Sequence, residues 1–222
     1  MPVEDAFPPA PLPMKIAFHG HATLTLTWGD TVIHVDPVGQ FGDFSRQPRA
    51  DIVLVTHEHS DHLDTAAIDA VRTPETTVVA THACADKLPD AVVLHNGDSR
   101  SIKGIRIEAV PAYNIKHMRA PGAPFHPRGS GNGYVLTLGE RRLYIAGDTE
   151  NIPEMRNLRA VDIAFLPMNL PYTMTPEMVA DAAKSFHPKV LYPYHTGDTD
   201  TTAIVDLLKG EKGIEVRIRP MK

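Results

Sequence analysis

The chain is 222 residues long with a formal net charge of −5. That is room for one domain with a sizeable core, and the wrong sign for a protein that grips nucleic-acid phosphates. Its single cysteine, Cys84, excludes an intramolecular disulfide. No apolar run approaches the roughly 18 residues of a membrane span.

Residues 1–13 are rich in proline (Pro2, Pro8, Pro9, Pro11, Pro13) and are expected to form a flexible, extended arm. They lack a basic start followed by an apolar segment, so they do not read as an intact signal peptide. The expected compartment is the cytoplasm, or the periplasm for a chain already relieved of a leader. Strands are expected at 16–18 and 22–28, the second with Leu24, Leu26 and Trp28 alternating against threonines. Gly29-Asp30 then turns into a strand at 31–35. Residues 51–55 are almost continuously apolar, as in a strand covered on both faces. Helical spacing follows over 63–71, then a strand at 77–80, a short helix at 83–88, and strands at 92–94 and 105–110.

Residues 114–132 carry three glycines and three prolines and neither periodicity. A loop of that length in one domain is usually functional or disordered. Strands at 134–138 and 143–146 are joined by Gly139-Glu140, and another lies at 163–166. Residues 176–185 read as a helix with Thr175 as N-cap and Pro176 in its first turn. A strand at 190–192, a helix at 202–208 and a strand at 215–218 complete the chain. The strands come in two batches, each finished by helices, with no linker between. The pattern predicts a single α/β domain over 14–222.

The chemistry concentrates in His57-Glu58-His59-Ser60-Asp61-His62, directly after the buried strand at 51–55. Imidazole and carboxylate suit zinc, manganese or iron(II). In an extended stretch His57 and His59 point to one side. Asp61 and His62 fall where the loop turns into the next helix, so they can face a second position nearby. The carboxyl end of a strand is also where α/β proteins place their sites. Cys84 reads as a small buried apolar residue, and His34, His82, His95 and His187 as ordinary structural histidines.

This stretch resembles the His-x-His-x-Asp-His signature of the metallo-β-lactamase superfamily, and the likeness runs from Lys15 to the end of the chain. Val35-Asp36-Pro37 matches the superfamily's early aspartate, Gly147-Asp148-Thr149 its metal-bridging aspartate, and His195 its final metal histidine. His19-Gly20-His21-Ala22 and Leu166-Pro167-Met168-Asn169 fit the branch of small metal-dependent hydrolases that includes ascorbate-6-phosphate lactonase-like proteins. The resemblance implies a four-layer αββα sandwich and one or two divalent ions per chain, zinc before manganese or iron. It places His57 and His59 on one ion, Asp61, His62 and His195 on a second, Asp148 between them, and Asp36 behind them as an orienting carboxylate. Asp61 and Asp148 would carry the catalysis. The chain departs from the pattern at Asn114, which stands where the family supplies another histidine to the first ion. His126, His117 and His21 are candidates to replace it; otherwise the first site is weak or empty.

The resemblance implies a hydrolase that uses a metal-bound hydroxide on a small ester, lactone or phosphodiester. True β-lactamase activity is disfavoured, because its best-known form has cysteine where Asp148 stands. Lys116, Arg119 and Arg128 in the long loop offer cations for an anionic small-molecule substrate. No nucleic acid or membrane partner is expected, and the oligomeric state is not encoded in any motif. The alternatives are a redox enzyme of the same fold and a metal-binding protein that has lost hydrolysis. Diiron flavoproteins carry glutamate where His59 stands, which weighs against the first.

Overall fold

The structure, a computed structural model, describes residues 2–222. The first half of the chain forms a seven-stranded sheet whose spatial order follows the sequence: β1 (Val3–Phe7), β2 (Met14–Gly20), β3 (Thr23–Trp28), β4 (Thr31–Val35), β5 (Ile52–Leu54), β6 (Thr77–Ala80) and β7 (Val92–Val93). β1 to β4 are antiparallel, and β4 to β7 run parallel. Between β5 and β6 lies α1 (Thr65–Val71), capped by Asp64, whose side chain accepts from the N–H groups of Ala66 and Ala67.

The second half adds β8 (Ser99–Ile102), β9 (Ile105–Ala112), a small hairpin of β10 (Met118–Ala120) and β11 (Ala123–Pro124), then β12 (Gly131–Leu138), β13 (Arg141–Ile145), β14 (Ile163–Pro167), α2 (Pro176–Phe186), β15 (Val190–Tyr194), α3 (Thr202–Leu207) and β16 (Glu215–Val216). Its sheet runs β16-β15-β14-β13-β12-β9-β8, with β13 to β16 parallel.

Side chains alternate across a strand, and here the alternation separates three cores. Ile16, Phe18, Leu24, Leu26, Ile33, Val35, Ile52 and Leu54 of the first sheet pack against Ile107, Tyr134, Leu136, Ile145, Phe165 and Tyr192 of the second. The intervening residues face outward. Val53, Val55, Val78 and Ala80 meet α1 through Ala67, Ile68 and Val71. Val135, Tyr144, Ala164, Leu166 and Leu191 meet α2 through Val179, Ala182 and Ala183. Both faces of the central strands are covered, which explains their unbroken apolar runs. The result is the four-layer α/β/β/α sandwich expected from the sequence.

Residues 2–13, the described part of the expected flexible arm over 1–13, do not behave as a free arm. Val3–Phe7 form β1, which pairs antiparallel with β2 from Val3 opposite Phe18 to Phe7 opposite Met14. Proline lacks a ladder donor, and the prolines fall beside β1 rather than within it, leaving five residues able to pair. The strand is also anchored ionically: Arg219 donates to both oxygens of Asp5 at 2.8 Å, and the Tyr192 hydroxyl donates to the same carboxylate. The helix expected at 83–88 shrinks to a single 3-10 turn over His82–Cys84. The polar β8 and the hairpin β10–β11 carried no apolar alternation and were not expected. Among the described residues no helix is long and apolar enough to cross a membrane.

The central aromatic stack locks the sheets together. Phe165 lies 5.2 Å from Tyr192 at an interplanar angle of 13°, and Phe18 meets Tyr192 at 5.0 Å. Replacing Phe165 by alanine should destabilise the fold by about 3–5 kcal/mol, read as a lower urea midpoint at unchanged slope. An unchanged midpoint would show that the inter-sheet core closes over the gap.

Candidate metal centre

Five loops converge at one end of the sandwich, each leaving the carboxyl end of a strand. β4 delivers Asp36, β5 delivers residues 56–62, β13 delivers Asp148, β14 delivers Asn169 and β15 delivers His195. Three of the six non-glycine residues with positive φ sit here: His21 (52°), Asp36 (42°) and His195 (49°). Gly147, at φ 65°, precedes Asp148 because a Cβ there would lie 2.8 Å from the Asn132 carbonyl oxygen.

The side chains form overlapping groups whose ligand atoms lie within 4.8 Å of one another: His57, His59 and His126; His57, His62 and Asp148; and His21, Asp61, His62 and His195. Asp148 stands between them. Its Oδ2 lies 3.3 Å from His126 Nε2, 3.3 Å from His195 Nε2 and 3.9 Å from His57 Nε2, and its Oδ1 lies 3.5 Å from His62 Nε2. His21 Nε2 lies 3.1 Å from Asp61 Oδ2. His57 Nε2 and His59 Nδ1 approach to 3.1 Å. Asp148 Oδ1, His62 Nε2 and His195 Nε2 are buried without a hydrogen-bond partner. Three such atoms of imidazole and carboxylate type converge at the centre, and this donor set fits a divalent cation.

The nitrogens and oxygens facing away from the centre are held by the protein. His62 Nδ1–H donates to Asp36 Oδ2 at 2.8 Å. Asp36 also accepts from the Thr56 amide at 2.8 Å and from the Thr56 hydroxyl at 2.7 Å. The hydroxyl in turn lies 3.1 Å from His57 Nδ1. Asp36 thus fixes the tautomer of His62 directly and that of His57 through Thr56.

The structure brings His126, one of the candidates to replace the histidine missing at Asn114, beside His57 and His59. The loop folds back so that Asn114 Oδ1 accepts from the His126 amide at 2.8 Å and from His126 Nδ1–H at 2.7 Å, which turns Nε2 toward Asp148. Asn114 supplies no ligand atom itself; its amide donates to Glu150 Oε1 at 3.2 Å and to the Tyr172 carbonyl at 2.9 Å. Glu150 is buried and collects the backbone N–H groups of Ile115, Lys116 and His117, pinning the start of the loop. His117 lies outside the centre, with Nδ1 2.9 Å from the Thr173 carbonyl oxygen. His21 is inside it. Thr56 and Glu150 were not among the expected site residues; their place directly beside ligand-type residues, in Thr56-His57 and Asp148-Thr149-Glu150, was the available signal.

Electrostatics tie the groups together. Burial and the neighbouring His62 depress the His57 pKa well below the imidazole range. Burial opposes charge on His62 and His195 too, but Asp148 with Asp36 raises His62, and Asp148 with Asp61 raises His195 to about 9. Burial pushes the Asp148 and Asp61 carboxyls up, yet the surrounding histidines hold both well below the usual carboxylate range. Cys84 is buried beneath α1, with its thiol raised by burial, and takes no part.

Residues 15–195 match the family described as the β-lactamase superfamily domain. A UPF0173 metal-dependent hydrolase from Pelotomaculum thermopropionicum is 30% identical over 193 residues, spanning 82% of this chain and 84% of its own. A crystal structure assigned as a metal-dependent hydrolase from Parabacteroides distasonis is 48% identical, covers 100% of both chains and superposes with a TM-score of 0.95. A metallo hydrolase from the archaeon Ignicoccus hospitalis, 21% identical over 93% of this chain and 95% of its own, matches in fold with a TM-score of 0.77.

Two predictions follow from these contacts. Asp36→Asn should weaken metal binding by about 10–100-fold while leaving the fold intact, as measured by competition with a chromogenic chelator; unchanged affinity would remove Asp36 from the positioning role. The second concerns pH. The folded pKa of His195 lies above its ordinary 6.5, so the stabilisation it lends the metal-free protein is complete below pH 6.5 and is lost as pH rises through about 9. The urea midpoint of chelator-treated protein should therefore fall across that window. The metal-loaded protein should show no such fall, because ligating imidazoles carry no proton on the bound nitrogen.

Proposed function

The chain belongs to the β-lactamase superfamily domain family and is a metal-dependent hydrolase, and from that premise we propose that it cleaves a small ester, lactone or phosphodiester at a two-metal centre. The observation that carries the reading is the position of Asp148, whose two carboxylate oxygens reach the histidines of both groups. In this reading His57, His59 and His126 would hold one ion, Asp61, His62 and His195 with His21 beside them would hold the other, and Asp148 would serve both. Zinc is the first candidate, with manganese and iron as the others.

A divalent ion held there lowers the pKa of bound water and polarises a carbonyl or phosphoryl oxygen. The protein's own residues do the rest. The Asp148 side chain is 3% exposed and its charge is committed to the histidines, whereas Asp61 is 43% exposed and opens on the cleft. Asp61 Oδ2 is held by His21, and Oδ1 keeps no protein partner among the described residues. Asp61 Oδ1 is placed to accept a hydrogen bond from an attacking water and so orient it. Phe125 and Tyr172, in edge contact at 5.1 Å, form an apolar wall of the cleft that excludes bulk water from the leaving group.

The net charge of −5 favours a small-molecule substrate over nucleic acid. The lactonase-like motif around His21 keeps lactones among the substrates to be tried first.

Chelator treatment should abolish turnover on an ester, lactone and phosphodiester panel, and zinc, manganese or iron(II) should restore it. Elemental analysis should find about two ions per chain. His59→Ala and Asp148→Ala should each reduce turnover to background with far-ultraviolet circular dichroism unchanged. Full turnover in a metal-depleted variant would overturn the reading, and about one ion per chain would reduce the centre to a mononuclear one.

A further inference from the structure

The cleft over the centre is walled by His and Asp ligand atoms on its floor and by the long loop above. That loop carries three cations, and the structure separates them. Arg128 is bound to Glu154 at 2.7 Å and lies over the Tyr113 ring at 5.2 Å. Lys116 does not line the cleft. Arg119, on β10, does. Its guanidinium carbon sits 5.8 Å from the centroid of Phe125, which itself rests against Tyr172.

Among the described residues no carboxylate lies within ion-pair distance of Arg119. Arg49, Arg100, Arg141, Arg156 and Arg159 also form no ion pair among the described residues, but of these arginines Arg119 alone lines the cleft. The two carboxylates of the cleft, Asp61 and Asp148, are taken by histidines. The chain therefore places an unpaired planar cation against an aromatic ring at the mouth of its reactive cleft. A guanidinium in that position offers two parallel donors to an incoming carboxylate or phosphate, and the ring beneath it favours that orientation.

We propose that Arg119 is a specificity-determining residue, pairing with an anionic group, carboxylate or phosphate, that the substrate carries away from its scissile bond. The proposal rests on the hydrolase reading above and narrows its substrate class to esters or lactones with a remote anion. The apolar Phe125–Tyr172 wall then takes the segment joining the anion to the scissile bond.

The test compares para-nitrophenyl esters of acetic, succinic and phosphonopropionic acid, which share a leaving group and differ in the tail: neutral, carboxylate or phosphonate. In Arg119→Ala the ratio of kcat/KM for a charged ester to that for the acetate should fall by about 10–100-fold, with the loss in KM rather than kcat. Arg119→Lys should recover part of it. The tail showing the larger fall identifies the anion. A ratio unchanged by Arg119→Ala, or a loss in kcat common to all three esters, would overturn the proposal. Metal-loaded protein is also titrated calorimetrically with succinamate and with the matching phosphonopropionamide, which cannot be turned over. Should no ester be cleaved, the ester hydrolase reading fails on its own. Binding that weakens in Arg119→Ala would then still support the anion site, and binding equal in both proteins would overturn it.

Discussion

The carboxylate of Asp36 governs how the centre presents its ligands. It is fully buried at the end of β4 and accepts from the Thr56 amide, the Thr56 hydroxyl and His62 Nδ1. Those three bonds dictate which nitrogen of His62 looks inward. Through the hydroxyl they also orient His57. The Asp36 backbone is fixed as well: its N–H donates to the Leu54 carbonyl, and its own carbonyl accepts from the Thr23 hydroxyl at 2.7 Å. One side chain thus transmits the register of β3, β4 and β5 to the imidazoles that follow β5, so the precision of the site is inherited from the sheet rather than built in the loop.

The other half of the centre is positioned across the gap between the sheets. His195 N–H donates to the His21 carbonyl at 2.7 Å, joining the end of β15 to the turn after β2. His21 N–H donates to the Lys222 carbonyl and Thr196 N–H to the Met221 carbonyl, both at 2.9 Å. The tail of the chain is therefore part of the scaffold of the site. Left-handed backbone at His21, Asp36 and His195 costs on the order of 1–3 kcal/mol each. It persists because the aromatic core of Phe18, Phe165, Tyr192 and Tyr194 holds the two sheets in one relation.

Much of this could be read from the residues in order. The apolar run of β5 announced a strand covered on both faces, β14 and β15 were legible as strands, and the cluster at 57–62 pointed to the centre. What escaped reading depended on contacts far apart in sequence. β1 was hidden because its flanking prolines dominate the composition, while its anchors are Arg219 and Tyr192 from the other end of the chain. The hairpin β10–β11 carries no alternating pattern, and it exists because Glu150 gathers the backbone of 115–117. Both histidines of the loop, His126 first and His117 after it, stood as candidates in the sequence. The choice is made by Asn114, whose oxygen holds one imidazole in place while its amide faces Glu150. The same asparagine that looked like a lost ligand is what holds a distant histidine against Asp148.

The dependence of the site on residues 221–222 has a consequence for how the protein is made. His57, His59 and His62 leave the ribosome early and close together, a ready chelating cluster on an unfinished chain. His126, Asp148, His195 and the backbone that clamps His21 arrive only later. Metals bind such a bare cluster in the order of intrinsic affinity, with copper ahead of zinc and iron. The cage that discriminates by geometry exists only after the last strand has docked. The complete donor set, which alone can discriminate by geometry, is assembled only once residues 221–222 have docked against His21 and Thr196.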